Sequence, residues 1–142
     1  HGRDILSQGG PEFGSCEGEK TIHAANTRMV NEKITFCMHF PIPPDALDRL
    51  RNRLSEWRIR CPGSAAVGLL NVAAGRLDCS LEFRSKPWDC AGGYPICLGA
   101  GAKFHFLGEP AFPMRSFSTS MPTFPFYVGS PEFCEAVAEL FA

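Results

Sequence analysis

The stretch that decides the fold covers residues 63–89 and reads GSAAVGLLNVAAGRLDCSLEFRSKPWD. Ser64 can cap a helix through its hydroxyl, and residues 65–74 are apolar nearly all round, which predicts an interior helix. Residues 77–83 then alternate apolar and polar side chains, as a half-buried strand does. Pro87 suits the first position of a further helix, because its ring already holds the backbone near a helical φ. Helix, strand and helix in such close succession predict an α/β unit.

The residues before this stretch continue the alternation of strands and helices. Residues 34–40 (ITFCMHF) predict a buried strand that ends at Pro41. A helix is expected after Pro44, with one apolar face made of Leu47, Leu50, Leu54 and Trp57. Residues 58–60 predict a short strand. Residues 1–20 are rich in glycine and predict a short strand near Ile5 followed by a loop.

The residues after the stretch complete one domain. Residues 104–106 and 126–128 predict two further strands, and Ser130 with Pro131 predicts the start of a last helix. Between those strands, residues 107–125 are rich in proline and phenylalanine and predict an irregular excursion. We therefore expect residues 1–142 to form a single layered α/β domain, with a mixed, largely buried sheet flanked by helices.

Charge and hydropathy exclude several kinds of protein. Fourteen basic and fifteen acidic side chains give a formal net charge of -1, so neither nucleic acid nor an anionic membrane surface is an expected partner. No apolar run approaches the ~20 residues that a transmembrane helix needs. Because the chain begins with His1 rather than Met, we expect a processed or trimmed product in which no targeting signal remains.

Seven cysteines are spaced irregularly, with no C-x-x-C pair and no cysteine–histidine cluster at zinc-finger spacing. The spacing predicts free thiols, most of them buried, in a reducing compartment such as the cytoplasm or the interior of an organelle. It predicts no structural zinc site. His39 and His105 lie in alternating segments, so we expect strand residues rather than metal ligands.

Two helix starts could carry chemistry. Asp89 lies in the first turn after Pro87, where it can stabilise the helix end or serve as an oxygen ligand for a hard cation. Ser64 and Ala65 begin the earlier helix, whose N-terminus could hold a phosphate or a hydroxyl. Ser64 could equally be a cap and nothing more. The residues by themselves leave these alternatives open.

Four short blocks, residues 63–66, 72–78, 82–83 and 86–89, resemble the C-terminal half of the inositol monophosphatase family in order and spacing. That family consists of magnesium-dependent, lithium-sensitive phosphomonoesterases. The resemblance is strongest over residues 58–93 and extends loosely over most of the chain. It implies the fold of the family's C-terminal domain.

The resemblance also implies residue roles, by position. Asp89 matches the aspartate of the family's Trp-Asp pair, which binds catalytic metal. Ser64 and Ala65 fall where family members contact the substrate. Glu82 matches a glutamate that meets sugar hydroxyls in the inositol-hydrolysing members. The implied cofactor is Mg²⁺, which activates a bound water and neutralises phosphate charge.

The family's other metal ligands are missing from these 142 residues. The family carries them in a Gly-Glu-Glu segment and an Asp-Pro-(Ile/Leu)-Asp-Gly-Thr loop, and neither motif occurs here. Because Asp89 alone cannot build an octahedral magnesium site, the lone chain is expected to be inactive and to use Mg²⁺ only where a partner chain completes the site. Pro95 is expected to kink or shorten the helix that follows Trp88, since it removes a backbone hydrogen bond.

Two functions therefore remain open. The chain can be the C-terminal part of a working phosphatase, completed by a chain that carries the missing N-terminal domain. It can instead be a catalytically silent structural or interaction subunit of a larger assembly. In both cases a protein partner is expected, and residues 107–125 can pack against that partner or against the domain's own core. Glu82 is compatible with a polyol but does not identify the substrate.

Overall fold

A five-stranded mixed sheet is the centre of the computed structural model, which describes residues 15–17, 20–22 and 34–142. Two short strands, β1 (Ser15–Glu17) and β2 (Lys20–Ile22), form a separate antiparallel pair. The main sheet is made of β3 (Thr35–Met38), β4 (Arg58–Arg60), β5 (Cys79–Glu82), β6 (Lys103–Phe106) and β7 (Phe126–Gly129). The strand expected near Ile5 lies outside the described residues.

The described part of the chain contains five helices. They are α1 (Pro44–Leu54), α2 (Ala65–Ala73), α3 (Pro87–Cys90), α4 (Gly93–Gly99) and α5 (Pro131–Phe141). The predicted caps are confirmed, because the hydroxyl of Ser64 accepts the Val67 N–H and that of Ser130 accepts the Phe133 N–H. Within these residues, no helix has both the length and the apolar character that crossing a bilayer requires.

The strand order is β4-β3-β5-β7-β6. β3 runs parallel to both β4 and β5, with Phe36 opposite Cys79. β7 is antiparallel to β5 and to β6. The expected mixed sheet is confirmed, and its three parallel strands present their carboxyl ends at one common edge.

Helices cover both faces of this sheet. The α1/α5 face is apolar and centred on a cluster in which the rings of Phe36 and Trp57 lie 5.4 Å apart and those of Trp57 and Phe133 lie 5.1 Å apart. The α2/α4 face carries Leu69 and Val128, together with six buried cysteine or alanine positions: Cys37, Ala73, Cys90, Cys97, Ala100 and Ala102. Two cores therefore flank one sheet.

The central strand β5 corrects one prediction. Residues 77–83 alternate in polarity, which predicted a half-buried strand, yet every residue of β5 is buried. Its apolar residues Cys79 and Leu81 face α1 and α5, while Ser80 faces α2. Glu82 is two residues after Ser80, so it lies on the same face of the strand, and it is only 3% exposed. The polar side of the pattern lies under a helix instead of in solvent.

Helix α2 corrects a second prediction. Its apolar composition predicted burial nearly all round, but Val67 is 43% and Leu70 46% exposed. The buried face runs along Gly68, Leu69 and Val72. Gly68 allows the helix to lie close to the sheet, because a Cβ there would be 2.9 Å from Ser80 Oγ. In α1, Leu47 is likewise exposed although it was expected on the buried face.

The expected interruption of the helix after Trp88 is confirmed, although its position differs. α3 ends at Cys90 and α4 begins at Gly93, so the break precedes Pro95. Pro95 is the third residue of α4, where a backbone N–H has no partner within the helix in any case. The ring is thus accommodated in a first turn instead of kinking a helix interior.

The excursion formed by residues 107–125 is mostly exposed, but some of its aromatic side chains pack on the domain's own core. Phe112 packs on Tyr94 with ring centroids 4.8 Å apart, and Phe124 is buried. Phe117 is different, because it is 62% exposed, and its ring meets the Trp88 ring edge-on with centroids 5.9 Å apart. The irregular backbone that the sequence predicted is confirmed for this segment.

The six cysteines whose side chains the structure describes are free thiols, as predicted. Five are buried: Cys37, Cys79, Cys90, Cys97 and Cys134. Cys61 is exposed, because it lies in the turn between β4 and α2. His105 is a strand residue, stacked on Tyr127 across β6 and β7. His39 lies just beyond the end of β3 and not within it, which corrects the boundary of the strand predicted over residues 34–40.

Candidate functional site

The predicted site residues follow the carboxyl ends of the parallel strands. β4 leads into Ser64 and Ala65 at the start of α2, and β5 ends at Glu82 before Asp89 in α3. Since β3 lies between β4 and β5 in the sheet, these positions share one edge. Ligands of open α/β sheets bind outside this edge, where the connecting loops and helix starts converge.

Asp89 stabilises the start of α3. Its carboxylate oxygen Oδ2 accepts the backbone N–H of Lys86 at 2.8 Å, so the interpretation of Asp89 as a helix-end residue is confirmed. The second interpretation, a hard-cation ligand, stays a prediction. Asp89 is half-buried and its charge reaches Glu82, where it contributes to raising the pKa of that carboxyl.

The described residues do not by themselves fit the Mg²⁺ ion that the family implies. Magnesium requires oxygen ligands in near-octahedral geometry. One oxygen of Asp89 is already engaged by Lys86 N–H. Within residues 34–142, moreover, Asp89 belongs to no group of three or more potential ligand side chains. The oxygen ligands that this ion needs would have to come largely from elsewhere.

Glu82 is enclosed and paired. Its Oε1 lies 2.5 Å from Nδ1 of His39 and accepts the hydroxyl of Ser80 at 3.3 Å. Burial raises the pKa of the Glu82 carboxyl, and the two hydrogen-bonding neighbours oppose that rise. Both of these contacts use Oε1 of the Glu82 carboxylate.

Cys37 joins this pair on the α2/α4 face of the sheet. Cys37 in β3 lies opposite Ser80 in the parallel strand β5, and its Sγ is buried beneath Gly68 of α2. Burial raises the pKa of the Cys37 thiol to about 11, so the thiol carries its proton at neutral pH. The structure thus gathers Cys37, His39, Ser80 and Glu82 beside the predicted site.

These four residues are not predicted to be neighbours from the sequence. Cys37 and His39 are two positions apart, which indicates a shared strand face, but Glu82 lies 43 residues after His39. Only the parallel pairing of β3 with β5 makes them neighbours. The one signal in the sequence was a Cys-x-His pattern at the end of a predicted strand. That Glu82 lies beside this pattern depends on the register between two strands, which one sequence does not specify.

Ser64 and Ala65 are located at the start of α2 as expected. The Ser64 hydroxyl accepts the Val67 N–H at 3.4 Å, a long hydrogen bond at the limit of useful geometry. This confirms Ser64 as an N-cap. Contact of Ser64 or Ala65 with a substrate stays a prediction.

Comparison with known proteins identifies the relatives of this arrangement. The model of the inositol monophosphatase family matches residues 14–125. A fructose-1,6-bisphosphatase/inositol-1-monophosphatase of Aquifex aeolicus is 46% identical over 52 residues, which are 37% of this chain and 20% of that protein. The Nus factor SuhB of Pseudomonas aeruginosa is 37% identical over 70 residues, which are 44% of this chain and 26% of that protein.

Solved structures agree with the fold. The extragenic suppressor protein suhB of Bartonella henselae superposes with a TM-score of 0.73 at 24% identity, covering 90% of this chain and 48% of that one. At this identity the likeness establishes the fold alone. The chain spans about half the length of the solved relative that it matches, and a smaller share of the curated ones.

Proposed function

The chain belongs to the inositol monophosphatase family, and we propose that it supplies one half of a phosphomonoesterase site whose other metal ligands lie outside these 142 residues. The observation that carries the proposal is the position of Asp89. It follows β5 at the edge where β3, β4 and β5 end, the same edge from which the chain enters α2. Such an edge is where α/β sheets bind phosphate-bearing ligands.

In this proposal each predicted residue has a defined role. Asp89 contributes one oxygen ligand to Mg²⁺, and the N-terminus of α2 at Ser64 and Ala65 receives the phosphate-bearing substrate. Glu82 meets a substrate hydroxyl. Because this chain offers a single carboxylate at the metal position, it is inactive by itself and needs a second chain, or a further segment of polypeptide, that bears the remaining carboxylates.

Phosphatase complementation tests the proposal. The 142-residue chain is assayed on a small phosphate monoester in millimolar Mg²⁺, alone and with a chain that carries Gly-Glu-Glu and Asp-Pro-x-Asp-Gly-Thr motifs. We expect hydrolysis at the buffer level for the lone chain and measurable turnover in the mixture. Asp89→Asn should abolish that turnover, whereas Asp48→Asn, on the exposed side of α1, should leave it intact.

Two results would contradict this assignment. Turnover by the lone chain that disappears in Asp89→Asn would show that the metal site is complete within these residues. A stable complex of the two chains that hydrolyses nothing would show that the chain does not serve catalysis.

A second candidate function, an interaction subunit without catalysis, is supported by exposed aromatic side chains. Phe117 is 62% and Trp88 47% exposed, and the two rings touch each other next to Asp89 in α3. Exposed apolar groups of this kind are typical of surfaces that meet a partner. This candidate predicts that the chain self-associates or is recovered in a complex, and that Phe117→Ser with Trp88→Ser weakens that association in sedimentation experiments.

A further inference from the structure

A cysteine, a histidine and a glutamate converge where β3 and β5 end. A ring nitrogen of His39, Sγ of Cys37 and a carboxylate oxygen of Glu82 all lie within 4.8 Å of one another. We propose that these three side chains bind one zinc ion, at a site separate from any magnesium position at Asp89. The inference shares Glu82 with the proposed function but needs neither Asp89 nor a phosphate.

The donor atoms favour zinc over magnesium. Thiolate sulfur and imidazole nitrogen are ordinary ligands of Zn²⁺, whereas Mg²⁺ is held by oxygen in octahedral geometry. Three protein ligands with a fourth position left for water are the arrangement of an open zinc site. The hydroxyl of Ser80, next to Glu82, lines the same space and can hydrogen-bond to that water.

The distances require only small movements. Zinc bonds of about 2.0–2.3 Å hold tetrahedral ligand atoms about 3–4 Å apart. His39 Nδ1 and Glu82 Oε1 lie 2.5 Å apart, which is a hydrogen bond and not a pair of metal ligands. The ion would replace this hydrogen bond, and the two side chains would separate by about 1 Å to receive it.

The charges balance in the bound state. A thiolate at Cys37 and a carboxylate at Glu82 carry two negative charges, which neutralise Zn²⁺ in a buried setting where net charge is costly. Without an ion the buried Cys37 thiol keeps its proton, since burial raises its pKa to about 11. Binding forms the sulfur–zinc bond and releases this proton to solvent.

His39 supplies a further observation. Its Nε2 is enclosed and has no hydrogen-bond partner among the residues that the structure describes. Nδ1, which faces Glu82, is the nitrogen that would bind the ion. The other nitrogen of a metal-bound histidine ordinarily donates its N–H to a carboxylate, a carbonyl or water, and the described residues offer Nε2 no such partner. The His39 side chain is also 16% exposed, which leaves an approach for an ion from solvent.

Cobalt titration of the reduced 142-residue chain tests the proposal, with Co²⁺ as a spectroscopic substitute for Zn²⁺. We expect one Co²⁺ per chain, a sulfur-to-cobalt charge-transfer band and the visible bands of a tetrahedral ion. Zn²⁺ should displace the cobalt, and millimolar Mg²⁺ should not. Cys37→Ser and His39→Asn should each weaken binding by about 10–100-fold or more, the loss that even outer-shell partners of a metal can cause.

Matched variants keep the result decisive. Cys61→Ser removes the exposed thiol and Asp89→Asn the predicted magnesium ligand, and both should retain the bands. His39→Asn guards against misfolding of Cys37→Ser, because His39 is half-buried and its replacement leaves the core intact. Absence of the bands in the wild-type chain would overturn the proposal, as would bands that survive in Cys37→Ser and vanish in Cys61→Ser. Neither result bears on phosphatase complementation, which is scored by hydrolysis.

Discussion

The two faces of the central sheet use neighbouring residues of the same strands for different purposes. On the α1/α5 face, Phe36 packs against Trp57 and Phe133 in an apolar cluster. On the α2/α4 face, Cys37 lies beside the pair formed by His39 and Glu82. Both faces are buried, so burial alone does not distinguish core from site. The α2/α4 face differs in that it holds polar groups buried together, and the proposed zinc site rests on that feature.

The apolar face should be the more costly one to damage. Phe36→Ala removes a fully buried ring from a close aromatic cluster and should lower the free energy of unfolding by about 3–5 kcal/mol. Urea denaturation measures the change. Phe117→Ala, an exposed aromatic, is the control and should stay within about 0.5 kcal/mol of the wild type. A loss below 1 kcal/mol in Phe36→Ala would place the main core elsewhere.

The approach of α2 to the sheet should be the next most sensitive feature. Gly68→Ala would put a Cβ 2.9 Å from Ser80 Oγ and 3.0 Å from Cys37 Sγ. Overpacking of this kind should lower the free energy of unfolding by about 1–3 kcal/mol. Gly92→Ala meets nothing within 4 Å at an ordinary φ of −75°, and it should be neutral or slightly stabilising in the same urea series. Equal losses in the two variants would contradict the close approach of α2.

The two serine caps compare one helix from each face. Ser64→Ala and Ser130→Ala each remove the side-chain acceptor of a helix N-cap, and each should lower the melting temperature through a loss of about 1 kcal/mol. Thermal unfolding measures both. Ser64→Asp and Ser130→Asp keep an acceptor oxygen and should preserve stability. A cap whose removal changes nothing would show that its helix starts differently in solution.

The smallest effect concerns the charge on Glu82. Burial raises the folded-state pKa of Glu82 above its ordinary 4.5, so the stabilising contribution of this group is full below the unfolded-state pKa and is lost as the pH rises through the folded-state pKa. Glu82→Gln does not titrate there. Its free energy of unfolding relative to the wild type should therefore increase with pH over that window.

Denaturation at a series of pH values checks this direction. Glu135→Gln, on the exposed side of α5, serves as the charge-matched control. A free energy of unfolding of Glu82→Gln that falls relative to the wild type as the pH rises would show that the pairing with His39 outweighs the cost of burying the carboxylate.

Helix starts could be predicted from the sequence, because there one side chain acts on the backbone of its own turn. Ser64, Pro87 and Ser130 were predicted correctly, because a hydroxyl acceptor or a fixed φ works within a single turn. The buried strand over residues 34–40 also emerged from its β-prone run, although β3 itself is shorter. Predictions of burial failed where the result depends on which other helix or strand packs against the residue. Val67 and Leu70 are exposed because no element of the described chain covers that side of α2.

In the candidate site, too, the residues with local roles could be predicted and the long-range pairing could not. Asp89, Ser64, Ala65 and Glu82 were singled out by motif and resemblance, and the structure assigns local roles to Asp89 and Ser64 as helix-end residues. The pairing of His39 with Glu82 could not be predicted, because its distance in sequence carries no periodic signal. Irregular cysteine spacing predicted no structural zinc site. The zinc site proposed above combines ligands that are far apart along the chain, which spacing does not describe.

By itself, the sequence determined the alternation of helices and strands, the helix starts and the family to which the chain belongs. The helices, strands and helix starts depend on side-chain shape and hydrogen bonds within a few residues, and the family is indicated by short motifs in their order along the chain. Only the tertiary structure decided that both faces of β5 are covered and that Cys37, His39 and Glu82 meet. These outcomes depend on strand register and helix packing, in which each contact is favourable only after distant segments have come together.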